Sequence, residues 1–562
     1  MRQQIFITFL LSLLSSVVCE TQCRCFPGDA CWPSEDDWAS FNASVGGALI
    51  RTVPVASVCH GEQYNESACA AVQADWPYPT LHYQSPHSIM STLAANQSCD
   101  PFTGRDAQCV IGTYVQYAVN VSEVEQIAKT VKFAVEKNIR LIIKNTGHDY
   151  FGKSTGAGAV SVWTHNMKDL EVLDWKGEHY TGPAIRAGAG VQGFEAIEFA
   201  GTHDLVAVTG SCPSVGLAGG YTQGGGHSSL ASKFGLAADN ALEFQVVDGS
   251  GNILIANREE NSDLFWALSG GGGGTYGVVN RITVRAHQTF PVVTYGLSFP
   301  MASTSNDTLR GAISSFHSVV PSLVDRGIYA LNSLSSGYFS VSLLAPNTTA
   351  DEIGQLLSSF LAYLDQNGVA YAPTTTSHDS YADSYGNGSS TSFVHVQGGS
   401  WLIPRDVASD GEMDDAFIDA VLSTAAAGAT IGTLGFNVSK AVAGDVDNAV
   451  LEAWRQALYY TLIVMPEPSN ETLADGYARL ETIENEIMSK FKAIAPESGA
   501  YLNEASAADV NWKNDFYGAN YDRLLSIKNK YDPNHLFYAP KAVGSDYWVE
   551  QDDKRLCLAN AQ

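Results

Sequence analysis

Three glycine-rich stretches, each wedged between apolar segments, constrain this chain more than any other feature of its 562 residues. They are 145–158 (NTGHDYFGKSTGAG), 210–226 (GSCPSVGLAGGYTQGGG) and 270–274, inside ALSGGGGGTYGVV. Glycine inside a helix or strand costs conformational entropy, so runs this dense mark loops. Flexible linkers are one reading. Strand-like residues press in from both sides, however, as RLIIK does at 140–144. Loops that turn backbone amides toward a ligand's phosphates fit better.

Short motifs within or beside these loops suggest other chemistries, and each fails on context. Gly147-x4-Gly152-Lys153-Ser154 matches a nucleotide-binding P-loop and follows a strand. Such a loop needs a helix starting at its Lys-Ser to aim amides and dipole at phosphate. Here TGAG and then AVSVW follow, which read as loop and strand. Gly188-x-Gly190-x-x-Gly193 matches the dinucleotide fingerprint, but the acidic residue expected about twenty positions later is missing. Gly152-x-Ser154-x-Gly156 matches a hydrolase elbow and lacks the same helix.

The amino terminus and the cysteines predict export. Arg2 precedes an apolar run from Ile5 to Val18 with Glu20 directly after it, the layout of a signal peptide over residues 1–19. The run is too short for a stable transmembrane helix, and no later stretch reads as one. Of ten cysteines, seven lie between Cys23 and Cys109, which suggests a stapled, oxidised segment, and Cys557 could tie the tail to it. Loss of Cys19 with the signal leaves nine, so eight can pair and one is spare, with Cys212 alone in mid-chain. Cys23-x-Cys25 has no second cluster at ligand spacing, so no metal is expected. Asn-x-Ser/Thr sequons at Asn42, Asn65, Asn96, Asn120, Asn306, Asn347, Asn387, Asn437 and Asn470 predict N-glycans on an exported chain. A formal charge of −27 argues against nucleic acid or an anionic membrane as partner.

Hydrophobic patterning gives the organisation. Ile111–Val119 reads as a strand. Ser122 and Glu125 form a capping box that opens a helix with Val124, Ile127, Ala128, Val131, Ala134 and Val135 on one face, ended by Asn138. Asp248-Gly249-Ser250-Gly251 reads as a hairpin turn joining EFQVV to NILIA. From Pro291 to Ile494 apolar and polar residues alternate without glycine clusters, suggesting a separate domain. YDRLLSIKNK reads as a helix closed by Asp532-Pro533.

The stretches KNTGHDYFGKSTGAGAVSVWTHNMKDLEV, TGSCPSVGLAGGYTQGGGHSSLASKFGLAADN and LFWALSGGGGGTYGVV together resemble the vanillyl-alcohol-oxidase-type (PCMH-type) FAD domain. The end, FYGANYDRLLSIKNKYDPNHLFY, is similar to its berberine-bridge-enzyme-like branch. The start, CRCFPGDACWPSEDDWASFN, resembles secreted fungal members, among them isoamyl-alcohol-oxidase-like proteins and FAD-linked oxidases of secondary metabolism. The resemblance implies an α+β fold: a two-part PCMH-type FAD-binding domain plus an α/β substrate domain with an antiparallel sheet. The expected divisions are a Cys-rich region at 20–110, the FAD domain at 111–290, the substrate domain at 291–495, and a segment at 496–562 that returns to the FAD domain.

Carried over motif by motif, the resemblance implies bicovalent FAD, bonded at the flavin 8α carbon by His148 and at C6 by Cys212. An imidazole nitrogen and a thiolate are the nucleophiles such carbons require. It further implies that Asn145, Thr146, Gly147, Gly216, Gly220, Gly224, Gly225, His227 and Asp239 line the FAD, and that Val215, at the family's oxygen-gating position, marks an oxidase. Tyr501, in Tyr-Leu-Asn, is the first candidate for catalytic base and Glu504 the second. The expected reaction is oxidation of an alcohol, sugar or amine/alkaloid-type substrate by O2 with release of hydrogen peroxide, as in a tailoring step of fungal secondary metabolism, with a small-alcohol or oligosaccharide oxidase as the alternative. A secreted glycoprotein that keeps the fold without turnover is the alternative from another class.

Overall fold

Alternation and apolar runs sort the chain into successive sheets. The computed structural model describes residues 23–95, 98–335, 337–385, 396–409, 411–444, 446–468 and 471–559. The signal-peptide segment with Cys19, and the sequons at Asn96, Asn387 and Asn470, lie outside the described residues. Among the remaining sequons, Asn65, Asn306 and Asn347 are exposed.

The first sheet joins Leu49–Arg51 (β1), Tyr117–Asn120 (β2), Arg140–Lys144 (β3) and Ala159–Trp163 (β4) in the order β1-β2-β4-β3, with β2, β4 and β3 parallel. Strands buried on both faces read as near-continuous apolar runs, as RLIIK and AVSVW do. The helix Val124–Glu136 buries Ile127, Val131 and Ala134. Its cap falls one residue later than the sequence suggested: the box is Glu123 with Gln126, whose Oε1 accepts from the Ser122 and Glu123 amides at 2.7 and 3.1 Å. Gln126 is favoured because its Nε2 also reaches the Val45 carbonyl. The strand expected from Ile111 starts only at Tyr117. Gly112, at φ +55° against Ser98, makes a turn there, and the Thr113 hydroxyl is tied to the Ala94 and Ala95 carbonyls.

The second sheet, of Leu170–Lys176 (β5), Thr181–Gly188 (β6), Leu205–Ala207 (β7), Ala241–Val247 (β8), Ile253–Asn257 (β9) and Val278–Gln288 (β10), runs β5-β6-β10-β8-β9, with β7 beside the end of β10. The Asp248–Gly251 hairpin forms as expected: the Asp248 carboxylate accepts from the Ser250 and Asn252 amides. The Gly188-to-Gly193 motif is a strand–turn–helix corner. A Cβ at Gly188 or Gly190 would lie 2.5 or 2.1 Å from the Met167 or His165 carbonyl oxygen, so close backbone packing explains both glycines. At Lys153 and Ser154 there is no helix, and both amides bond the Asp149 carboxylate.

The third sheet has seven antiparallel strands: Val292–Pro300 (β11), Tyr329–Ser335 (β12), Tyr338–Pro346 (β13), Ala372–His378 (β14), Val396–Pro404 (β15), Thr430–Gly435 (β16) and Ala457–Pro466 (β17), ordered β14-β11-β13-β12-β16-β17-β15. Helices Asn306–Val324 and Gly411–Ala426 pack on one face. The other face looks toward the glycine loops.

Both chain ends then return to the first sheet. Disulfides join Cys25–Cys31, Cys59–Cys69, Cys99–Cys109 and, across 534 residues, Cys23–Cys557, leaving Cys212 as the free cysteine among the described residues. In the carboxyl-terminal helix Tyr521–Tyr531, Lys528 bonds Asp532 at 2.8 Å in a buried pair. The lysine also reaches the Thr275 and Phe537 carbonyls, and Asp532 accepts the Leu536 and Phe537 amides. A buried pair is tolerated when its remaining donors and acceptors are met in this way. This one fastens the returning segment beside the third glycine loop.

Candidate active site

A cavity of about 530 Å³ opens where the glycine loops, the bare face of the third sheet and the returning segment meet. Loop 145–154 leaves β3 and supplies His148. Gly147 precedes it at φ +87°, a turn that a side chain would strain, and accepts from the Met90 amide at 3.1 Å. Loop 210–216 supplies Cys212. The two side chains share one neighbour that the sequence reading did not single out. The Ser214 hydroxyl, 3% exposed, lies 2.9 Å from His148 Nε2 and 3.6 Å from Cys212 Sγ. In the tautomer whose Nε2–H donates to this hydroxyl, Nδ1 keeps its lone pair. Burial, helped by His82 and Lys144, holds the His148 imidazole down at about 4, so it is neutral and nucleophilic near neutrality. Burial raises the Cys212 thiol, and the bonds to Ser214 act in the opposite direction. Lys144 itself is buried, donates to the His82 and Ser85 carbonyls, and is lowered to about 7 by burial.

The lining fits a flavin dinucleotide. Gly220 and Gly274 line the cavity, and a Cβ on either meets almost nothing: Asn503 at 3.9 Å for Gly220, no atom within 4 Å for Gly274. That is bare backbone facing space, the surface a pyrophosphate needs. Asn145 Oδ1, Gln223 Oε1 and His227 Nδ1 are buried without a partner and belong to lining residues. Native interiors seldom leave such atoms alone, so a polar ligand is wanted here. Asn145 is held rigidly, its Nδ2 donating to Ala189 O and Thr164 Oγ1.

The returning segment brings Tyr501, Asn503 and Glu504 to the same cavity. Tyr501 is buried and its hydroxyl accepts from Asn503 Nδ2 at 2.8 Å. Burial and the neighbouring Glu504 charge push that hydroxyl well above its ordinary range. Glu504 behaves differently. Burial would raise it, but His227 beside it and the bonds from His227 and Tyr460 win, holding the carboxyl below its usual range. His227 Nε2 approaches Oε2 at 3.4 Å, and the Tyr460 hydroxyl donates to the same oxygen. Among the described residues Oε1 accepts no hydrogen bond. The result is an ionised carboxylate with one free oxygen at the cavity.

Of the other residues picked out from sequence, Thr146, Val215 and Gly216 line the cavity. Gly224 and Gly225 do not. A Cβ on Gly224 would fall 2.5 Å from Asn503, so this glycine makes room for the returning segment. Asp239 is also elsewhere: its carboxylate binds Arg455 at 2.7 Å, Asn448 at 2.7 Å and the Leu236 amide at 2.8 Å, an ion pair that fixes the loop after β16 against the second sheet. Besides Ser214, sequence reasoning missed Tyr460, whose place in an ordinary strand pattern gave no signal. It missed equally the sheet residues that complete the cavity, Leu331, Gly432, Leu434 and Leu462 among them.

Comparison with known proteins agrees with this geometry. Residues 115–257 match the family described as "FAD binding domain", and residues 500–544 match "Berberine and berberine like". The chain is 43% identical over 546 residues to the FAD-linked oxidoreductase patO of Aspergillus clavatus, covering 96% of this chain and 94% of that one. Its fold matches the crystal structure of the VAO-type flavoprotein MtVAO615 from Myceliophthora thermophila C1 with a TM-score of 0.90 and 37% identity, covering 96% of this chain and all of that one. A chitooligosaccharide oxidase shares the fold alone, with a TM-score of 0.65 and 19% identity over 84% of this chain and 99% of that one. A glycine-built cavity fit for a flavin, two family domains in order and relatives along the whole chain lead to one conclusion: this protein belongs to the berberine-bridge-enzyme-like, VAO-type family of FAD-linked oxidoreductases.

Proposed function

We propose that the protein is an exported oxidase that holds FAD through His148 and Cys212 and oxidises a small molecule with O2, releasing hydrogen peroxide. The observation that carries this reading is the Ser214 hydroxyl bridging a neutral imidazole and a lone thiol on one cavity wall. Nucleophiles for two flavin carbons are thus held side by side. Four disulfides and exposed sequons support passage through an oxidising compartment. No helix among the described residues is long and apolar enough to cross a membrane.

When bound, FAD supplies the hydride acceptor, which O2 then regenerates. The chain's own residues do the rest. The glycine loops, with Gly220 and Gly274, carry the phosphates, and Asn145, Thr146, Gly147 and Gly216 line the rest of the FAD site. Glu504 takes the substrate's O–H or N–H proton on Oε1, with Tyr460 and His227 holding Oε2. Glu504 is preferred to Tyr501 because a base must be unprotonated at working pH, and burial keeps the Tyr501 proton on. Val215, half-buried on the cavity wall, supports oxygen access, in keeping with an oxidase.

The test is acid precipitation of the purified secreted protein followed by peptide mass spectrometry. Yellow colour in the pellet and flavin-bearing peptides at both 148 and 212 are expected. Complete release of pigment into the supernatant would overturn the covalent reading, and absence of peroxide across alcohols, sugars and amines would overturn the oxidase reading.

A further inference from the structure

We propose that the substrate half of the cavity is an aliphatic tray that takes an apolar carbon skeleton bearing one oxidisable alcohol, with Gly432 as the notch that admits its bulk. This deepens the oxidase reading and rests on it for the reaction. The tray itself is carried by strand register alone.

Side chains two apart on a strand share a face, and the pairings align three strands into rungs across the sheet. In the first rung Leu331 of β12 lies opposite Leu434 of β16, which lies opposite Tyr460 of β17. In the second, Ser333 is opposite Gly432 and Gly432 opposite Leu462; in the third, Thr430 is opposite Val464. Every one of these except Tyr460 lines the cavity, while Tyr460 turns to grip Glu504 at the tray's edge. The tray floor is therefore Leu331, Leu434, Leu462 and Val464. Its polar side chains are the Ser333 and Thr430 hydroxyls and, at the end of β12, the Tyr329 phenol, and none is charged.

Such a surface suits one kind of molecule. A sugar carries a hydroxyl on nearly every carbon, and each one buried on leucine without a partner loses its water for nothing. A skeleton with a single hydroxyl loses nothing of the sort. It lays carbon on the aliphatic floor and presents its one polar end to Glu504 Oε1. Gly432 sets how much carbon fits. A Cβ there would meet Leu331 and Leu434 methyls at 3.5 Å and the Leu462 carbonyl at 3.9 Å, all ordinary contacts. Nothing in the packing forbids a side chain at 432, and the space above it belongs to the cavity.

The experiment uses the flavin-loaded protein and straight-chain primary alcohols from butanol to octanol, titrated by calorimetry, with peroxide release measured in parallel. Affinity should rise about fourfold per methylene, the partitioning of a CH2 group onto apolar surface. Glucose and cellobiose should give no binding heat. Gly432→Leu should flatten the series beyond its shorter members with flavin content unchanged, and Gly432→Ala, which adds one carbon, should fall between. A flat series in the unaltered protein, sugar binding tighter than butanol, or an unchanged series in Gly432→Leu would each overturn the tray. A sloping series with no peroxide would leave the tray standing and overturn the oxidase reading.

Discussion

The two halves of the cavity are made of different material. On the cofactor side the wall is mostly main chain: Gly220 and Gly274 bring bare backbone to the space, and the turns at Gly147 and Gly274 depend on a positive φ. On the substrate side the wall is side chain, an aliphatic floor laid across β12, β16 and β17. A dinucleotide is constant and its phosphates answer to amides, so backbone suffices. A substrate differs between relatives, and exchangeable side chains can follow it without moving the strands.

Several variants would break or sharpen that contrast. The largest effect belongs to the backbone wall. Gly220→Val places two methyls where only Asn503 stands within 4 Å, so flavin content should collapse while the disulfide-held fold survives; flavin absorbance per protein reads this out, and full occupancy would deny the backbone cradle. The junction of the halves comes next. Glu504→Gln, isosteric but unable to take a proton, should slow flavin reduction in stopped flow by about 10²–10⁴-fold with both links intact. Ser214→Ala should then lower the fraction of molecules carrying both links, scored by peptide mass spectrometry, and Ser214→Thr should restore it.

A smaller effect is expected from Tyr460→Phe. Its hydroxyl bonds the charged form of Glu504 and so lowers that carboxyl; losing the bond raises it. Glu504 is competent above its pKa, so the acid limb of the reduction rate should move up by about one pH unit. An unmoved limb would mean that Tyr460 only fills space. Least of all, Tyr501→Phe should change the reduction rate by less than about tenfold, since its proton stays put. A loss like that of Glu504→Gln would return Tyr501 to the role of base.

The same contrast explains what could be read without coordinates. Gly-His-Asp and Ser-Cys-Pro-Ser-Val-Gly announce themselves because a backbone site demands glycine, and glycine is rare enough in such runs to notice. β3 and the hairpin at Asp248 were equally plain, their patterns being local. The tray was not legible. Leu331, Leu434 and Leu462 alternate with polar residues as in any half-buried strand, and only pairing between β12, β16 and β17 puts them on one face. The lowered carboxyl of Glu504 was not legible for the same reason: Tyr460 and His227, which bond it, stand 44 and 277 residues away in sequence. Asp239, which the resemblance placed at the FAD, is instead paired with Arg455, a partner 216 residues away that no local pattern reveals.

The bridge between Cys23 and Cys557 makes the described chain a closed circuit. On a loop-entropy basis a ring of this size removes about 6 kcal/mol of freedom from the unfolded chain, an amount that depends on covalent continuity rather than on contacts. It also imposes an order on biosynthesis. Residue 23 is synthesised long before residue 557, so this bridge can close only when translation is nearly finished. The segment bearing Glu504 is made within that same interval, so the seal on the ring and the completion of the cavity wall fall at the same late stage.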